Sequence, residues 1–161
     1  MQKKHGIRWK EFKAHWQNYI FQVLFATIST FFVLLTLKLQ QAVIVASIGS
    51  TAFIVFAMPK SITAQPKNII GGYIAGISVG SLCSLVPHMS LLHSMFLYAA
   101  AVGLSIFAMV LTDTEHPPAS GAALGIAMLG FSLKVVLAAM TSVLILALIH
   151  NVFKDYLRDL T

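Results

Sequence analysis

The chain has 161 residues, of which 58% are hydrophobic and only 10% are charged, and its mean hydropathy is +0.84. A soluble domain usually has about a quarter charged residues, so this chain lacks the polar side chains that a water-facing surface needs. The composition excludes an ordinary soluble enzyme, a disordered chain and a nucleic-acid-binding protein. It leaves a polytopic protein embedded in a lipid bilayer.

The N-terminal segment, residues 1–18, is basic and aromatic. It contains five of the eleven basic residues, and Trp9, Phe12 and Trp16 recur at helical spacing. This pattern predicts either an amphipathic helix at the membrane surface or a helical extension of the first span, and the sequence favours neither. We expect a transmembrane domain at 19–153 to follow, and then a short polar tail at 154–161.

Four apolar runs predict membrane-spanning helices, and they cover residues 19–37, 42–58, 69–86 and 91–111. The next apolar stretch, 119–149, would form a helix of ~46 Å, which is longer than one crossing requires. The segment Gly130-Phe131-Ser132 offers the one break in it. We therefore predict a short helix over about 118–131 and a full span over about 133–152, with a single long helix as the alternative.

The positions of the basic residues predict the orientation of this all-α bundle of five spans plus a half-helix. With the N-terminus in the cytoplasm, nine basic residues face the cytoplasm and two, Lys38 and Lys134, face the other side. The nine lie in the N-terminal segment, the loop at 59–68 and the tail. We expect an integral protein of a bacterial-type inner (plasma) membrane.

An internal similarity links two parts of the chain. Residues 55–82 align with residues 106–133 without a gap and share seven identities in 28 positions. Each unit contains a span, a polar loop with proline and a glycine-rich helix. Because two crossings separate the units, the predicted repeat is parallel, with its pseudo-axis along the membrane normal.

Both polar loops of this repeat place proline directly before a predicted helix start. A helix start presents unpaired N–H groups and the positive end of the helix dipole, which together attract small anions. The alternative interpretation is helix capping and tight packing alone. The candidate substrate-binding residues are those of the two loops and helix starts, with one serine of the second span: Gln65, Pro66, Lys67, Asn68, Gly71, Gly72, His116, Pro117, Pro118, Ser120, Gly121 and Ser50.

Small residues recur every four positions on three predicted helices, which predicts close helix packing and a homo-oligomer formed through one of these faces. They are Gly72, Gly76 and Gly80, then Gly121 and Gly125, then Ala42, Ala46 and Ser50. Asp113, Glu115 and His116 form a cluster of acidic and histidine side chains that could relay protons. Metal binding is the weaker interpretation, because the cluster lacks the standard spacing of metal ligands. We predict no catalytic set, no metal and no cofactor, because no GxSxG, HExxH, P-loop or dinucleotide motif occurs.

Two strings resemble the HPP family of integral membrane proteins: Ala64-Gln65-Pro66-Lys67-Asn68-x-x-Gly71-Gly72 and His116-Pro117-Pro118-Ala119. Gly49-Ser50-Thr51-Ala52, followed by Pro59 and Ser61, is similar to the second-span motif of that family. The resemblance covers about residues 19–150 and implies a fold of four or more membrane helices. Plant-chloroplast and cyanobacterial relatives are credited with nitrite transport. The resemblance therefore implies a transporter or channel for a small inorganic monovalent anion, with nitrite as the first candidate. A non-transporting assembly or sensing module is the alternative.

Overall fold

The computed structural model describes residues 9–34 and 42–160, with side chains at 15–29 and 43–160. The described part of the chain is all-helical and contains no strand. Its six α-helices are α1 (Trp9–Leu34), α2 (Ala42–Ala57), α3 (Pro66–Ser84), α4 (Leu91–Leu111), α5 (Pro118–Leu129) and α6 (Leu133–Phe153). A short 3₁₀ helix, Ile62–Ala64, lies between α2 and α3.

The first helix includes part of the N-terminal segment. One helix runs from Trp9 to Leu34, and it bends at His15, whose backbone angles (φ −136°, ψ 23°) are not helical. The helix therefore changes direction at His15, and the two interpretations of the N-terminal segment stay predictions. Trp16, just after the bend, is half exposed, as expected for an aromatic side chain near a membrane surface.

The long apolar stretch after the second loop divides into two helices, which confirms the predicted break. Helix α5 ends at Leu129, and Gly130 follows with φ +83° while its N–H bonds to the Ile126 carbonyl. Glycine adopts positive φ without steric cost, so it ends a helix at this point readily. Helix α6 then begins at Leu133.

Within the described residues, two helices are both long and apolar enough to cross a membrane, α4 and α6, each of 21 residues. Two shorter apolar helices, Val43–Ala57 and Pro118–Leu129, accompany them. The outer face of α4 is exposed and apolar, which suits contact with lipid chains. Its exposed large side chains are Leu91, Leu92, Met95, Phe96, Leu104, Ile106, Phe107, Val110 and Leu111. The total of five spans stays a prediction.

The core of the bundle lies where α3 and α5 meet α2 and α6. Tyr73, Ile44, Ile48, Ile69 and Leu146 are among the largest side chains that solvent does not reach. Helix α3 contacts α4, α5 and α6, so it is the central element of the fold.

The C-terminal residues, expected to form a polar tail, fold back against α1 and α2. The Leu160 N–H donates to the Ala57 carbonyl at 2.9 Å. Gln22 Nε2 donates to the Phe56 carbonyl at 2.6 Å and to the Arg158 carbonyl at 2.8 Å. Leu157 is buried. Buried backbone carbonyls need such partners, so this segment completes the end of the bundle.

Candidate functional site

Helices α3 and α5 run side by side in the same direction, in very close contact. Gly76 lies against the Ala119 carbonyl, and a Cβ atom at Gly80 would lie 2.5 Å from the Ala123 oxygen. The same four-residue step on both helices shows that they are parallel. Only glycine permits this approach, because any side chain would displace the backbone of α5.

The register of this contact places the start of α5 inside the bundle. A Cβ atom added at Gly72 would lie 2.7 Å from the His116 Cβ. Gly72 is six residues into α3, which is ~9 Å from the start of that helix. On the other side, Ser47, in the middle of α2, donates to the Pro118 carbonyl at 2.5 Å. The loop at 112–117 therefore runs into the bundle, and α5 begins beside the middle of α2.

His116 is fully buried at this point, and both its ring nitrogens have partners. Nδ1 lies 2.8 Å from the Thr63 carbonyl oxygen, and Nε2 lies 3.0 Å from Thr51 Oγ1. Tyr73 OH contacts Thr51 Oγ1 at 2.9 Å and Ser47 Oγ at 2.7 Å. The HPP loop is thus connected by side-chain hydrogen bonds to α2, α3 and the loop before α3.

The chemistry of these partners determines the tautomer of His116. A carbonyl oxygen only accepts, so Nδ1 must carry the hydrogen that it donates to Thr63. In the neutral ring Nε2 then accepts, and the Thr51 hydroxyl is the donor. Burial lowers the pKa of His116 from 6.5 to about 4, and the hydrogen bond to Thr63 opposes this shift in part. His116 is therefore neutral at pH 7.

The two helix starts differ in the backbone donors that they leave open. Pro117 and Pro118 have no N–H, and the N–H groups of Ala119 and Ser120 already donate to the carbonyls of His116 and Pro117. The first residues of α5, from Pro117 to Ser120, therefore offer no open N–H group to a ligand. At the start of α3, the N–H groups of Lys67 and Asn68 have no partner among the described residues.

The loop at 112–117 is also joined to the start of α3. Asn68, which is buried, donates from Nδ2 to the Glu115 carbonyl at 3.1 Å. Lys67 Nζ lies 2.5 Å from Asp113 Oδ2 at the surface. The Lys67 ammonium, through its hydrogen bond and its charge, lowers the pKa of the Asp113 carboxyl. The two loops therefore meet.

The structure nevertheless divides the twelve candidate residues among three places. Asn68, Gly71, Gly72 and His116 lie in the tight contact between α3 and the loop at 112–117. A groove of about 530 Å³ between α2 and α5, open to the outside of the bundle, is lined by Ser50, Pro117, Pro118, Ser120 and Gly121, together with Ser47. A second cavity, of about 520 Å³, is lined by Gln65, Pro66 and Lys67.

Sequence reasoning missed the partners of His116. Hydroxyls in an apolar helix, such as those of Ser47 and Thr51, commonly bond to a carbonyl of their own helix. Thr51 Oγ1 does lie 3.1 Å from the Ser47 carbonyl oxygen, but its single hydrogen is donated to His116 Nε2. No motif marks Tyr73 or Thr63, although a tyrosine in a glycine-rich helix is a usable signal. Its hydroxyl needs a buried polar partner, which a neighbouring helix must supply.

The other sequence interpretations concern metals and oligomers. Among the described residues, no group of three or more His, Cys, Asp or Glu side chains could hold a metal ion. The small faces of α3 and α5 are used inside the chain, because Gly76 and Gly80 contact α5 and Gly125 contacts Ile44 of α2. The homo-oligomer stays a prediction. Ala46 and Ser50 still line the open groove, and the side chain of Ala42 lies outside the described residues.

Comparison with known proteins decides the family. The family model described as "HPP, transmembrane region" matches residues 11–158 of the chain. The chain belongs to the HPP transmembrane family. It is similar to two transmembrane proteins of Dictyostelium discoideum, at 36% identity over 88 residues and 32% over 89 residues. Each match covers 55% of this HPP chain and 31% or 29% of the relative, so the chain spans about a third of the length of these relatives. No solved structure matches.

Proposed function

We propose that this HPP protein moves a small inorganic anion across the membrane, and that the start of α5 forms part of the route. The observation that supports this is the position of α5, which begins inside the bundle beside Ser47 instead of at the end of the bundle. Irregular backbone inside a membrane bundle is tolerated where protein buries it or where it lines a cavity. In many transporters, such a broken helix borders the solute pathway.

The groove beside the start of α5 supplies an approach to this point. Three hydroxyl side chains line it, those of Ser47, Ser50 and Ser120, and they interrupt an otherwise apolar wall. The buried contact of His116 with Thr51 is made by the chain neighbours of Pro117 and Ser50, which line the groove. In our proposal, the hydrogen bond between His116 and Thr51 closes the route, and we call this contact the partition. The two side chains must separate before a solute can pass.

The preference for an anion rests on the directions of α3 and α5. Because the two helices are parallel, the positive ends of both dipoles lie at the same side of the bundle. A cationic solute would be disfavoured there. The resemblance to relatives credited with nitrite transport puts nitrite first among the anions to test, and nitrate, formate and chloride follow.

Flux into proteoliposomes tests the proposal. We expect nitrite to enter vesicles that contain the protein faster than it enters empty vesicles. The Thr51→Val variant removes the hydroxyl donor to His116 Nε2, weakens the partition and should raise the flux severalfold. Thr141→Val is the matched control, because the Thr141 hydroxyl is exposed on α6 and bonds only to the Leu137 carbonyl.

Two outcomes would count against transport by this route. If none of the four anions enters faster than in empty vesicles, transport is excluded, and a membrane assembly or sensing module is the remaining function. If flux occurs but Thr51→Val and Thr141→Val both match the unaltered protein, the contact between Thr51 and His116 is not the partition.

A further inference from the structure

Helix α5 packs much more closely against α3 than against α2. Along α3, a Cβ atom added at Gly72 would lie 2.7 Å from the His116 Cβ, and one added at Gly80 would lie 2.5 Å from the Ala123 carbonyl oxygen. These two glycines are eight positions apart, so the close contact extends along ~12 Å of the helix. Helices α3 and α5, with the loop at 112–117, therefore form one rigid body, which we call the α3–α5 unit.

The contact between α2 and α5 widens along α2. In the first turn of α2, Ile44 Cγ1 would lie 2.7 Å from a Cβ atom added at Gly125. A Cβ atom added at Gly121 would lie 3.5 Å from the Ser47 Cβ, which is an ordinary van der Waals distance. Beyond Ser47, α2 lines the open groove of about 530 Å³ as far as Ile54. Of these contacts, the one between Ile44 and Gly125 is the closest, and we call it the pivot.

The opposite side of α2 has space behind it. A cavity of about 560 Å³ lies between α1 and α2, and Gly49 lines it. Gly49 is two positions after Ser47, which is ~200° around the helix, so it faces away from α5. No neighbouring atom of the described residues lies within 4 Å of a Cβ placed at Gly49. Gln22 and Leu160, which donate to the last two carbonyls of α2, line the same cavity, so their bonds do not hold α2 against α5.

The hydroxyl contacts that join α2 to the α3–α5 unit are one hydrogen short. Ser47 donates its hydrogen to the Pro118 carbonyl, and Thr51 donates its hydrogen to His116. Tyr73 OH then has a single hydrogen for two oxygens, Ser47 Oγ at 2.7 Å and Thr51 Oγ1 at 2.9 Å. One of these two pairs of oxygens therefore has no hydrogen between its members. Helix α2 is held by fewer hydrogen bonds than the short distances suggest.

We propose that α2 swings away from the α3–α5 unit about the pivot, into the cavity beside α1. The movement separates Thr51 from His116 and so opens the partition, and in this respect the inference rests on the proposed transport. Ile44 stays in place, whereas residues near the end of α2 move farthest, because displacement grows with distance from the pivot. The moving part of the route is therefore a whole helix, and Gly49 provides the space that it enters.

Cysteine labelling in detergent tests this movement without any flux. Cys83 is the only cysteine of the chain, so Cys83→Ala gives a background without thiols. Val55 and Ile44 are both completely buried, and each lies two positions from an end of α2. In that background, we expect a small methanethiosulfonate reagent to modify Val55→Cys at least tenfold faster than Ile44→Cys. Equal rates, including no reaction at either position, would overturn the proposal.

Filling the cavity beside α1 gives a second test. Gly49→Leu should obstruct the movement and slow the modification of Val55→Cys at least fivefold. Gly103→Leu on α4 is the matched control, because a Cβ atom at Gly103 also meets nothing within 4 Å, and it should leave the rate unchanged. If Gly49→Leu also leaves the rate unchanged, α2 does not move into this cavity and the proposal is wrong.

Nitrite flux into proteoliposomes connects the movement to transport and needs no cysteine variant. We expect Gly49→Leu to lower the flux at least fivefold relative to Gly103→Leu. Equal fluxes would show that the movement of α2 does not open the route, which overturns this inference and leaves transport intact. If no anion crosses with the unaltered protein, the proposed function fails, and the labelling rates still decide whether α2 moves.

Discussion

His116 donates from Nδ1 to the carbonyl oxygen of Thr63 at 2.8 Å, across 53 positions of the chain. This bond joins the second polar loop to the first, and it holds the ring so that Nε2 faces Thr51. The histidine of the HPP motif is therefore a buried connection between the two loops, with its charge suppressed by the surroundings.

The protonation of His116 should make the protein less stable in mild acid. The pKa is about 4 in the folded protein and about 6.5 when the ring is exposed, so the unfolded state binds more protons between these values. The contribution of His116 to the free energy of unfolding is constant above pH 6.5. It falls by up to about 3 kcal/mol as the pH drops from 6.5 to 4. Thermal unfolding in detergent at a series of pH values measures this.

Histidine side-chain NMR provides the site-specific check. We expect the His116 resonances, assigned by their absence from His116→Gln, to stay those of a neutral ring with hydrogen on Nδ1 from pH 8 down to pH 5. A midpoint near pH 6.5 would show that the ring is open to solvent.

The contact between α3 and α5 should not tolerate an added methyl group. Gly76→Ala would place a Cβ atom against the Ala119 carbonyl, and both helices would have to move apart. We expect a loss of about 1–3 kcal/mol, the usual cost of overpacking. Gly103→Ala on α4 is the control, because nothing lies within 4 Å of its Cβ position. Equal melting temperatures for the two variants would contradict the parallel packing.

The two polar links between α3 and the loop at 112–117 should differ in importance. Asn68 is buried, and Asn68→Ala would leave the Glu115 carbonyl without its donor, at a cost of about 1–3 kcal/mol. Asp113→Asn removes an ion pair that is open to solvent and should change the unfolding temperature far less.

Acid and salt should affect the Asp113 link in defined directions. Lys67 lowers the pKa of Asp113, so the ion pair contributes to stability above the ordinary carboxyl pKa and is lost as the pH falls through the lowered value. High salt should weaken the pair by screening.

A larger effect of Asp113→Asn than of Asn68→Ala on the unfolding temperature would show that the exposed ion pair is the stronger of the two links between α3 and the loop at 112–117.

Gln22 should hold the C-terminal segment in place. Gln22→Leu removes both donors, to the carbonyls of Phe56 and Arg158, and should expose the peptide bond after Arg158. We expect trypsin to cleave there about tenfold faster, as a loss of ~1.4 kcal/mol in local stability would produce. Gln17→Leu, on the exposed side of α1, should leave the cleavage rate unchanged. Identical rates for the two variants would show that the segment is held by other contacts.

Much of the fold could be predicted because its signals are local. The break at Gly130 follows from the excess length of an apolar stretch and from the freedom of glycine to adopt positive φ. The start of α5 at Pro118 was predicted, and α3 starts at Pro66, three residues before the predicted span at 69; the fixed φ of proline suits the first turn in both cases. The candidate site was predicted less completely, since its twelve residues fall into a buried contact, a groove and a cavity.

The sequence by itself determined that the chain is an all-helical membrane protein and where most of its helices begin and end. Those properties depend on composition and on neighbouring residues. Only the tertiary structure decided that His116 is paired with Thr63 and Thr51 and that α5 starts beside the middle of α2. These partners are tens of residues apart, and the close approach of glycine to backbone across α3 and α5 selects them, which no local pattern encodes.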